Sequence, residues 1–393
     1  MKAILTFLFL LILPQITFAE TSIQLSEKSS IRLETCMPGD AIYSAFGHSG
    51  IRVVDSLNRI DVVFNYGAFN STINQFYVDF LKGKPTFFLV IVPTQEFLQE
   101  YKEESRGVVE TALILDIQQR QKIFDYLMWN AQPENYAYQY DFVFDNCATR
   151  IRDVFEINLG SAFSFNFQDS FCHASSSFKS MLYSKLGNHP LVELGFSLIL
   201  GIEMDKMASC KEQLFLPENL LIAFQHATNN GQKIVEKKIE ILPSKIQTQK
   251  QSFNYLFVLV VAICILLLIS IYFKSRRLHY FIAIVLLLVF GLLGAFLLAM
   301  WLMTDNTSTF KNYNLLWAMP TNVLVAILLL LGKSRLTVKY IQWYGLYLLL
   351  LLIVYPFIPQ TLHFLVYIIM FSSGVYFYCI SKTLTYQGNT PLS

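Results

Sequence analysis

The chain has 393 residues, of which 54% are hydrophobic and only 15% are charged, and its formal net charge is +2. Soluble domains carry about 25% charged residues, so part of this chain is expected to lie in a membrane. The near-neutral charge and the lack of a basic stripe in the sequence set nucleic-acid binding aside. The apolar excess is concentrated in residues 253–381, whereas residues 20–252 have an ordinary globular composition.

Residues 1–19 have the pattern of a secretory signal peptide. Met1-Lys2 gives a short positive start, an apolar core runs from residue 3 to 14, and Ala19 is a small residue at the expected cleavage site. The alternative interpretation is a retained N-terminal anchor. Both interpretations place the segment that follows outside the cytoplasm.

Residues 20–235 are predicted to form an exported α+β domain around a largely antiparallel sheet. The predicted strands are 31–37, 51–54, 62–66, 86–92 and 108–115, and the predicted helices are 71–81, 94–105, 117–130, 175–186, 191–204 and 220–226. Residues 236–252 are polar and lysine-rich and are predicted to form a linker that reaches the membrane.

Five apolar segments follow, each close to the ~20 residues that cross a hydrocarbon core. They are 253–273, 278–303, 313–332, 340–358 and 361–381. Lysine and arginine are concentrated in the loops at 274–277 and 333–339, which the positive-inside rule places in the cytoplasm. The N-terminal domain is therefore predicted to be extracytoplasmic, and the tail at 382–393 cytoplasmic.

A lone cysteine stands at the start of one predicted helix. Cys147 follows an aromatic, strand-like run at 140–144 and two helix-capping residues. Unpaired backbone N–H groups and the helix dipole favour a thiolate at such a position. A nucleophilic cysteine needs a base, and the best-placed candidate is His48, which is flanked by glycines at the start of a strand.

The chain has six cysteines, at positions 36, 147, 172, 210, 264 and 379. Cys172 and Cys210 lie in the irregular later part of the exported domain and are predicted to form a disulfide. Two hypotheses stay open for the other exported pair: Cys36 bridges Cys147, or Cys147 is the nucleophile and Cys36 is buried near it. No histidine has a partner at the spacing of a zinc site, so neither a metal nor a cofactor is predicted.

These motifs belong to a longer series that resembles the Lnb-type lipoprotein N-acylation enzymes. In chain order the series is Cys36-x-Pro38-Gly39-Asp40, Tyr43-Ser44-x-Phe46-Gly47-His48, Asn65-Tyr66-Gly67, Asp145-Asn146-Cys147-x-Thr149-Arg150, Leu200-Gly201, Asp205, Phe215-Leu216-Pro217 and Asn314-Leu315-Leu316-Trp317-x-x-Pro320. That bacterial family has an exported domain followed by a five-span membrane region. The order of histidine before cysteine also resembles the circularly permuted branch of the papain-like fold, where lecithin-type acyltransferases carry Asn-Cys at a helix start.

The resemblance implies a papain-like, circularly permuted α+β domain and an all-α five-helix transmembrane region in a bacterial inner membrane. It also implies acyl transfer onto the amino-terminal cysteine of a lipoprotein, with diacylglyceryl-modified lipoproteins and membrane phospholipid as partners. In this reaction Cys147 is the nucleophile, His48 is the base and later the acid, and the backbone N–H of Cys147 is the oxyanion donor. A third group should orient the imidazole, and Asn65 and Tyr66 are the candidates.

Four further residues are predicted to meet the substrate. Tyr43 and Ser44 are expected to line the site, and Arg150 is expected to form a salt bridge or to contact a lipid headgroup. Asn314 lies near the outer end of the third span, where it either lines an acyl-chain groove or packs between helices. Two alternative functions remain: a papain-like cell-wall peptidase or amidase, and a lipid- or lipoprotein-binding membrane protein in which Cys147 is structural.

Overall fold

The structure is a computed structural model. It describes residues 23–69, 78–79, 82–83, 85–167, 172, 176–186, 189–244, 254–273, 275–332 and 334–385. The predicted signal peptide and most of the helix predicted at 71–81 lie outside the described residues, and so does residue 245 onward of the predicted linker.

An antiparallel sheet of seven strands organises the described part of the N-terminal domain. The strands are β1 (Ser29–Cys36), β2 (His48–Asp55), β3 (Ile60–Ala68), β4 (Thr86–Pro93), β5 (Val108–Leu113), β6 (Ala137–Gln139) and β10 (Val235–Leu242). Their order in the sheet is β10-β5-β1-β2-β3-β4-β6, and every neighbouring pair is antiparallel. A small separate ladder joins β7 (Phe163–Ser164), β8 (Thr228–Asn229) and β9 (Gln232–Lys233).

Helices cover both faces of this sheet. The helices of the described domain are α1 (Thr94–Glu103), α2 (Ile117–Asn130), α3 (Cys147–Leu159), α4 (Phe178–Leu186), α5 (Pro190–Ile199) and α6 (Pro217–His226). Of these, α1, α2, α3 and α6 contact the sheet, whereas α4 and α5 pack in separate clusters. The main core lies under α2 and α3, where Phe64 of β3 meets Phe124 and Ile151. The next residue back along β3, Val63, belongs to a second cluster under α1, because successive strand residues point to opposite faces.

The structure confirms the predicted strands at 31–37, 51–54, 62–66 and 86–92, and the helix at 117–130 has the predicted bounds. Two predictions are wrong. Residues 140–144 form a turn that is closed by paired backbone hydrogen bonds between Asp141 and Asp145, instead of a strand. The predicted linker begins too early, because residues up to Leu242 pair with β5 at the edge of the sheet.

The C-terminal region contains five apolar helices in its described part. They are α7 (Tyr255–Ser270), α8 (Arg276–Met303), α9 (Thr321–Leu330), α10 (Ser334–Val354) and α11 (Phe364–Thr385). Three of these segments, around α8, α10 and α11, are long and apolar enough to cross a membrane. Residues 307–316 and α9 pass the same test only as a pair that is bent by 47°, which is the geometry of a broken span or of a re-entrant loop, and α7 is a shorter apolar helix.

The N-terminal domain contacts the loops of this helical region through buried polar groups. Asn312 and Asn314 donate hydrogen bonds to backbone carbonyls near the end of α5, at distances of 2.7–3.1 Å. Lys179 of α4 and the Asp205 carboxylate both bond to Thr361, which precedes α11. The segments before α9 and before α11 thus form a docking platform for the domain.

Candidate active site

The candidate nucleophile Cys147 is the first residue of α3. Asn146 caps this helix, because its side-chain oxygen accepts from the backbone N–H groups of Ala148 (2.9 Å) and Thr149 (3.0 Å). The Thr149 hydroxyl accepts in turn from the N–H of Asn146 at 2.8 Å and completes a capping box. This cap does not use the N–H of Cys147, so the helix start keeps a backbone donor at the thiol.

His48 opens β2 and is held by the neighbouring strand. Its Nε2 lies 2.6 Å from Oδ1 of Asn65 on β3. An amide oxygen only accepts hydrogen bonds, so Nε2 carries a proton and Nδ1 is the nitrogen left for the thiol. Gly67 leaves room for the ring: a Cβ there would lie 3.2 Å from Cε1 of His48, and its φ of +109° favours glycine.

The electrostatics of Cys147 and His48 favour an ion pair. Desolvation raises the pKa of Cys147, but the positive charge and hydrogen bond of His48, with the backbone N–H groups of Ser49 and Ala148, bring it below the ordinary value. Desolvation lowers the pKa of His48, yet the charge of Cys147 and the hydrogen bonds to Cys147 and Asn65 raise it above the ordinary value. Both shifts describe one thiolate–imidazolium pair.

The structure brings three of the four predicted catalytic residues together, and Tyr66 lies apart from them. Its ring belongs to the main core, and its hydroxyl donates to Oδ1 of Asn130 at 2.7 Å. Asn65 and Tyr66 are adjacent on a strand and therefore face opposite sides of the sheet. Only one of them can reach His48, and the hydrogen bond shows that it is Asn65.

The predicted substrate contacts Tyr43 and Ser44 lie in the loop that leads to His48. Tyr43 is largely exposed, and its hydroxyl donates to the Glu104 carboxylate at 2.8 Å. Ser44 is buried, and its hydroxyl donates to the carbonyl of Ala41 at 3.0 Å. Both hydroxyls are thus used to hold the loop in place.

Arg150 and Asn314 also have protein partners. Arg150 forms a two-point ion pair with Asp145 at 2.6 and 2.7 Å, and its guanidinium lies 4.0 Å from the ring centroid of Tyr138. Asn314 is fully buried, where it bonds to α5 and accepts from the indole N–H of Trp317 at 2.9 Å. Arg150 therefore fixes the turn before the nucleophile, and Asn314 fixes the docking of α5.

The cysteines of the domain fall into two kinds. Cys172 and Cys210 form a disulfide with their Cα atoms 5.2 Å apart. Cys36 and Cys147 are separate free thiols, and Cys36 is almost fully buried. Burial raises the pKa of Cys36, which keeps it neutral and a poor nucleophile.

The described residues contain no group of three or more His, Cys, Asp or Glu side chains that could hold a metal ion. The sequence prediction also missed one contributor to the site, the backbone N–H of Ser49, which helps to lower the pKa of Cys147. A backbone donor leaves no residue-type signal. Its position directly after His48 was the only available indication.

Together, the fold and the site define a membrane protein whose N-terminal α/β domain presents a partly buried Cys147–His48–Asn65 cluster at a helix start. Two family models match most of the chain: the Lnb N-terminal periplasmic domain over residues 18–175 and the Lnb transmembrane domain over residues 247–387. The chain belongs to the Lnb family, and its N-terminal part is periplasmic. No curated protein and no solved structure gives a significant match to it.

Proposed function

We propose that this protein is a membrane-anchored cysteine acyltransferase that N-acylates the amino-terminal cysteine of bacterial lipoproteins. The observation that carries the proposal is the polarised pair of Cys147 and His48, oriented by Asn65 at 2.6 Å. Membership of the Lnb family supports an enzyme of lipoprotein maturation. A domain docked on apolar helices is suited to a substrate whose acyl chains lie in a bilayer.

The proposed reaction has two half-reactions. The Cys147 thiolate attacks an ester carbonyl, a C–S bond forms, and the C–O bond to the alcohol breaks while His48 gives that alcohol its proton. The amine of the lipoprotein then attacks the thioester, His48 takes a proton from the amine, and the C–S bond breaks to release the thiolate. Asn65 holds the imidazole by accepting from Nε2, so that Nδ1 exchanges the proton.

The remaining expectations belong to the same proposal. The domain is papain-like with a circular permutation, since its histidine strand precedes its cysteine helix along the chain. The membrane is the bacterial inner membrane, five helices cross it, and the C-terminus is cytoplasmic. Diacylglyceryl-modified lipoproteins are the acceptors, and the reaction uses no cofactor.

The experiment is mass spectrometry of a lipoprotein's lipidated N-terminal peptide from a host that lacks its own N-acylation enzyme. Wild-type protein should give an N-acylated peptide, and Cys147→Ala and His48→Ala should leave a free amine. Cys379→Ser is the matched control, because it removes another free thiol, in α11, and should keep N-acylation. A free amine with well-expressed wild-type protein would show that lipoproteins are not the acceptor.

A further inference from the structure

Tyr140 lies in the turn that carries the chain into Cys147. The turn is closed by two backbone hydrogen bonds between Asp141 and Asp145, at 3.0 and 3.1 Å. This closure returns the chain to within a short distance of Tyr140 just before α3 begins. Tyr140 and Cys147 both pack, partly buried, against the main core cluster.

Tyr140 is held through both its backbone and its ring. Its backbone N–H donates to the carbonyl of Pro85 at 2.9 Å, and its ring stacks on Phe87 with centroids 4.1 Å apart and planes 19° apart. A stacked ring keeps its hydroxyl at a defined position, so little side-chain entropy is lost when that hydroxyl meets a ligand. The position is therefore preorganised.

The hydroxyl of Tyr140 is unused within the described part of the chain. Neither a hydrogen bond nor an ion pair engages it there, although the hydroxyls of Tyr43 and Tyr66 both have partners. The residue is only partly buried, unlike Tyr138 on the preceding strand. Burial, and next the negative charge of Cys147, raise the pKa of Tyr140 and keep it a neutral O–H donor.

Acyl transfer at Cys147 needs such a donor. Attack on a carbonyl places a negative charge on its oxygen, and enzymes stabilise that oxyanion with fixed hydrogen-bond donors. The Cys147 N–H is one donor at the helix start. The Asn146 cap already uses the N–H groups of Ala148 and Thr149, so a second donor has to come from another element.

We propose that Tyr140 is a further catalytic residue of this site, whose hydroxyl donates a hydrogen bond to the oxyanion formed when Cys147 attacks an ester or when an amine attacks the thioester. The inference rests on the proposed acyl-transfer function. Tyr140 keeps its own proton throughout, while His48 carries the proton between the nucleophile, the leaving alcohol and the incoming amine. The predicted substrate feature is therefore an ester carbonyl that lies between the Cys147 N–H and the Tyr140 O–H.

The test compares two reactions of the full-length protein in detergent. The first is acylation by a p-nitrophenyl ester, which forms an oxyanion and is followed by p-nitrophenolate release, with the site of acylation checked by peptide mass spectrometry. The second is alkylation of Cys147 by iodoacetamide, a displacement that forms no oxyanion. Tyr140→Phe removes only the hydroxyl and keeps the ring that stacks on Phe87.

Tyr140→Phe should slow acylation by about 100- to 1,000-fold, the effect of losing one oxyanion donor, and should leave alkylation within about twofold. The matched control is Tyr138→Phe, which removes a buried hydroxyl that has no hydrogen-bond partner among the described residues and keeps the ring beneath Arg150. Both rates should change by less than about twofold in that variant. Unchanged acylation in Tyr140→Phe, or an equal loss of both reactions, would overturn the proposal.

The result also separates this inference from the proposed function. Wild-type protein that forms the acyl-enzyme but never N-acylates a lipoprotein contradicts the proposed function alone. Wild-type protein that is alkylated at Cys147 but forms no acyl-enzyme contradicts both. Acyl-enzyme formation that does not need the Tyr140 hydroxyl contradicts the inference alone.

Discussion

Burial by itself would keep Cys147 neutral, because a thiolate loses its hydration inside a protein. The imidazole of His48 and the backbone N–H groups of Ser49 and Ala148 outweigh that cost and lower the pKa of the thiol. The same contact raises the pKa of His48. Reactivity is thus a property of the pair, and the two groups titrate together.

The first prediction concerns the pH dependence of that pair. Cys147 should react with iodoacetamide below the usual thiol pKa of about 8.5, because its own pKa is lowered, and the reaction should stop only when acid protonates the thiolate. Above the raised pKa of His48 the thiolate remains, so alkylation continues, but acyl transfer should fall because no imidazolium is left to protonate the leaving alcohol. The alkylation rate should therefore rise in a single step with pH, whereas the acyl-transfer rate should follow a bell-shaped pH profile.

The control for this profile is His48→Asn, which removes the positive charge beside the sulfur. Its alkylation midpoint should move up to the ordinary thiol range or above, since desolvation is then opposed only by the backbone donors. Rates measured from acid to alkaline pH, with the modified peptide identified by mass spectrometry, give both midpoints. Identical midpoints in the two proteins would contradict the ion pair.

The second prediction separates Asn65 from Tyr66. Asn65→Ala should lower the acyl-transfer rate by about 10- to 100-fold, which corresponds to losing a hydrogen bond to a charged group. Tyr66→Phe removes the hydrogen bond to Asn130 in the core, so it should lower the free energy of unfolding by about 1–2 kcal/mol with little effect on rate. The acyl-transfer rate and the thermal unfolding of both variants test this prediction. A Tyr66→Phe protein that is stable but transfers the acyl group slowly would make Tyr66, and not Asn65, the residue that orients His48.

At the scale of elements, the start of α3 depends on one side chain. The Nδ2 of Asn146 donates to the carbonyls of Phe142 (2.8 Å) and Phe215 (2.9 Å), while its oxygen caps the helix. Asn146 therefore ties the turn, the helix and the segment before α6 to one point. Cys147, the proposed nucleophile, is the next residue along the chain.

The third prediction follows from this arrangement. Asn146→Ala should cost about 1 kcal/mol for the lost cap and about 1–3 kcal/mol for buried carbonyls left without a donor, and it should slow Cys147 alkylation. Asp116→Ala is the matched control, because it removes the cap of α2 far from the site. It should lower the unfolding temperature with alkylation unchanged. Loss of alkylation in both variants would mean that capping acts only through global stability.

The elements were predictable where local chemistry determines them. The bounds of α2 follow from its capping box at Asp116 and its helical spacing. β10 was missed because its lysines and glutamates are exposed on both faces of an edge strand, which removes the hydrophobic alternation of a buried strand. The strand-like run at 140–144 forms a turn instead, because the Asp141 carboxylate accepts from two backbone N–H groups of that turn, which competes with sheet pairing.

The candidate site was predictable in part for a similar reason. Cys147 and His48 stand out through their sequence surroundings, a helix start and paired glycines. The choice between Asn65 and Tyr66 depends on which face of β3 meets His48, and strand register is a property of the whole sheet. The backbone donor of Ser49 also depends on the approach of two elements that lie about a hundred residues apart in the chain.

At the scale of the whole molecule, hydropathy predicts the apolar segments but not their breaks. The apolar segment predicted as the third span is interrupted before Pro320, where Ala318 lies against Gly294 of α8 so closely that a Cβ on that glycine would be 1.9 Å from the Ala318 carbonyl oxygen. The segment before the break brings polar residues such as Asn314 into contact with the N-terminal domain. Such a contact depends on the assembled structure, and local sequence carries no signal for it.

The ion pair that links the domain to the segment before α11 also depends on the assembled structure and has no local sequence signal. Lys179 lies 3.1 Å from Asp205 and donates to the carbonyl of Thr361 at 2.8 Å. The Asp205 carboxylate accepts from the backbone N–H of Thr361 at 3.1 Å and also from its hydroxyl. Both charged side chains are almost fully buried, so each depends on the other for its neutralisation.

The last prediction is that Lys179→Met weakens this docking while leaving the site intact. An unpaired buried carboxylate costs about 3–5 kcal/mol, whereas Lys185→Met on the same helix breaks a more exposed pair with Glu218 and should cost at most about 1 kcal/mol. Lys179→Met/Asp205→Asn should recover part of the loss, because the charge is gone and an acceptor for Thr361 remains. Thermal unfolding of the three purified variants tests this order of stability loss, which is largest in Lys179→Met, smaller in the double variant and at most about 1 kcal/mol in Lys185→Met. If docking places Cys147 at the bilayer, Lys179→Met should also reduce N-acylation of membrane-bound lipoproteins more than it reduces alkylation by iodoacetamide. An equal loss of both reactions would mean that the Lys179–Asp205 ion pair stabilises the domain itself.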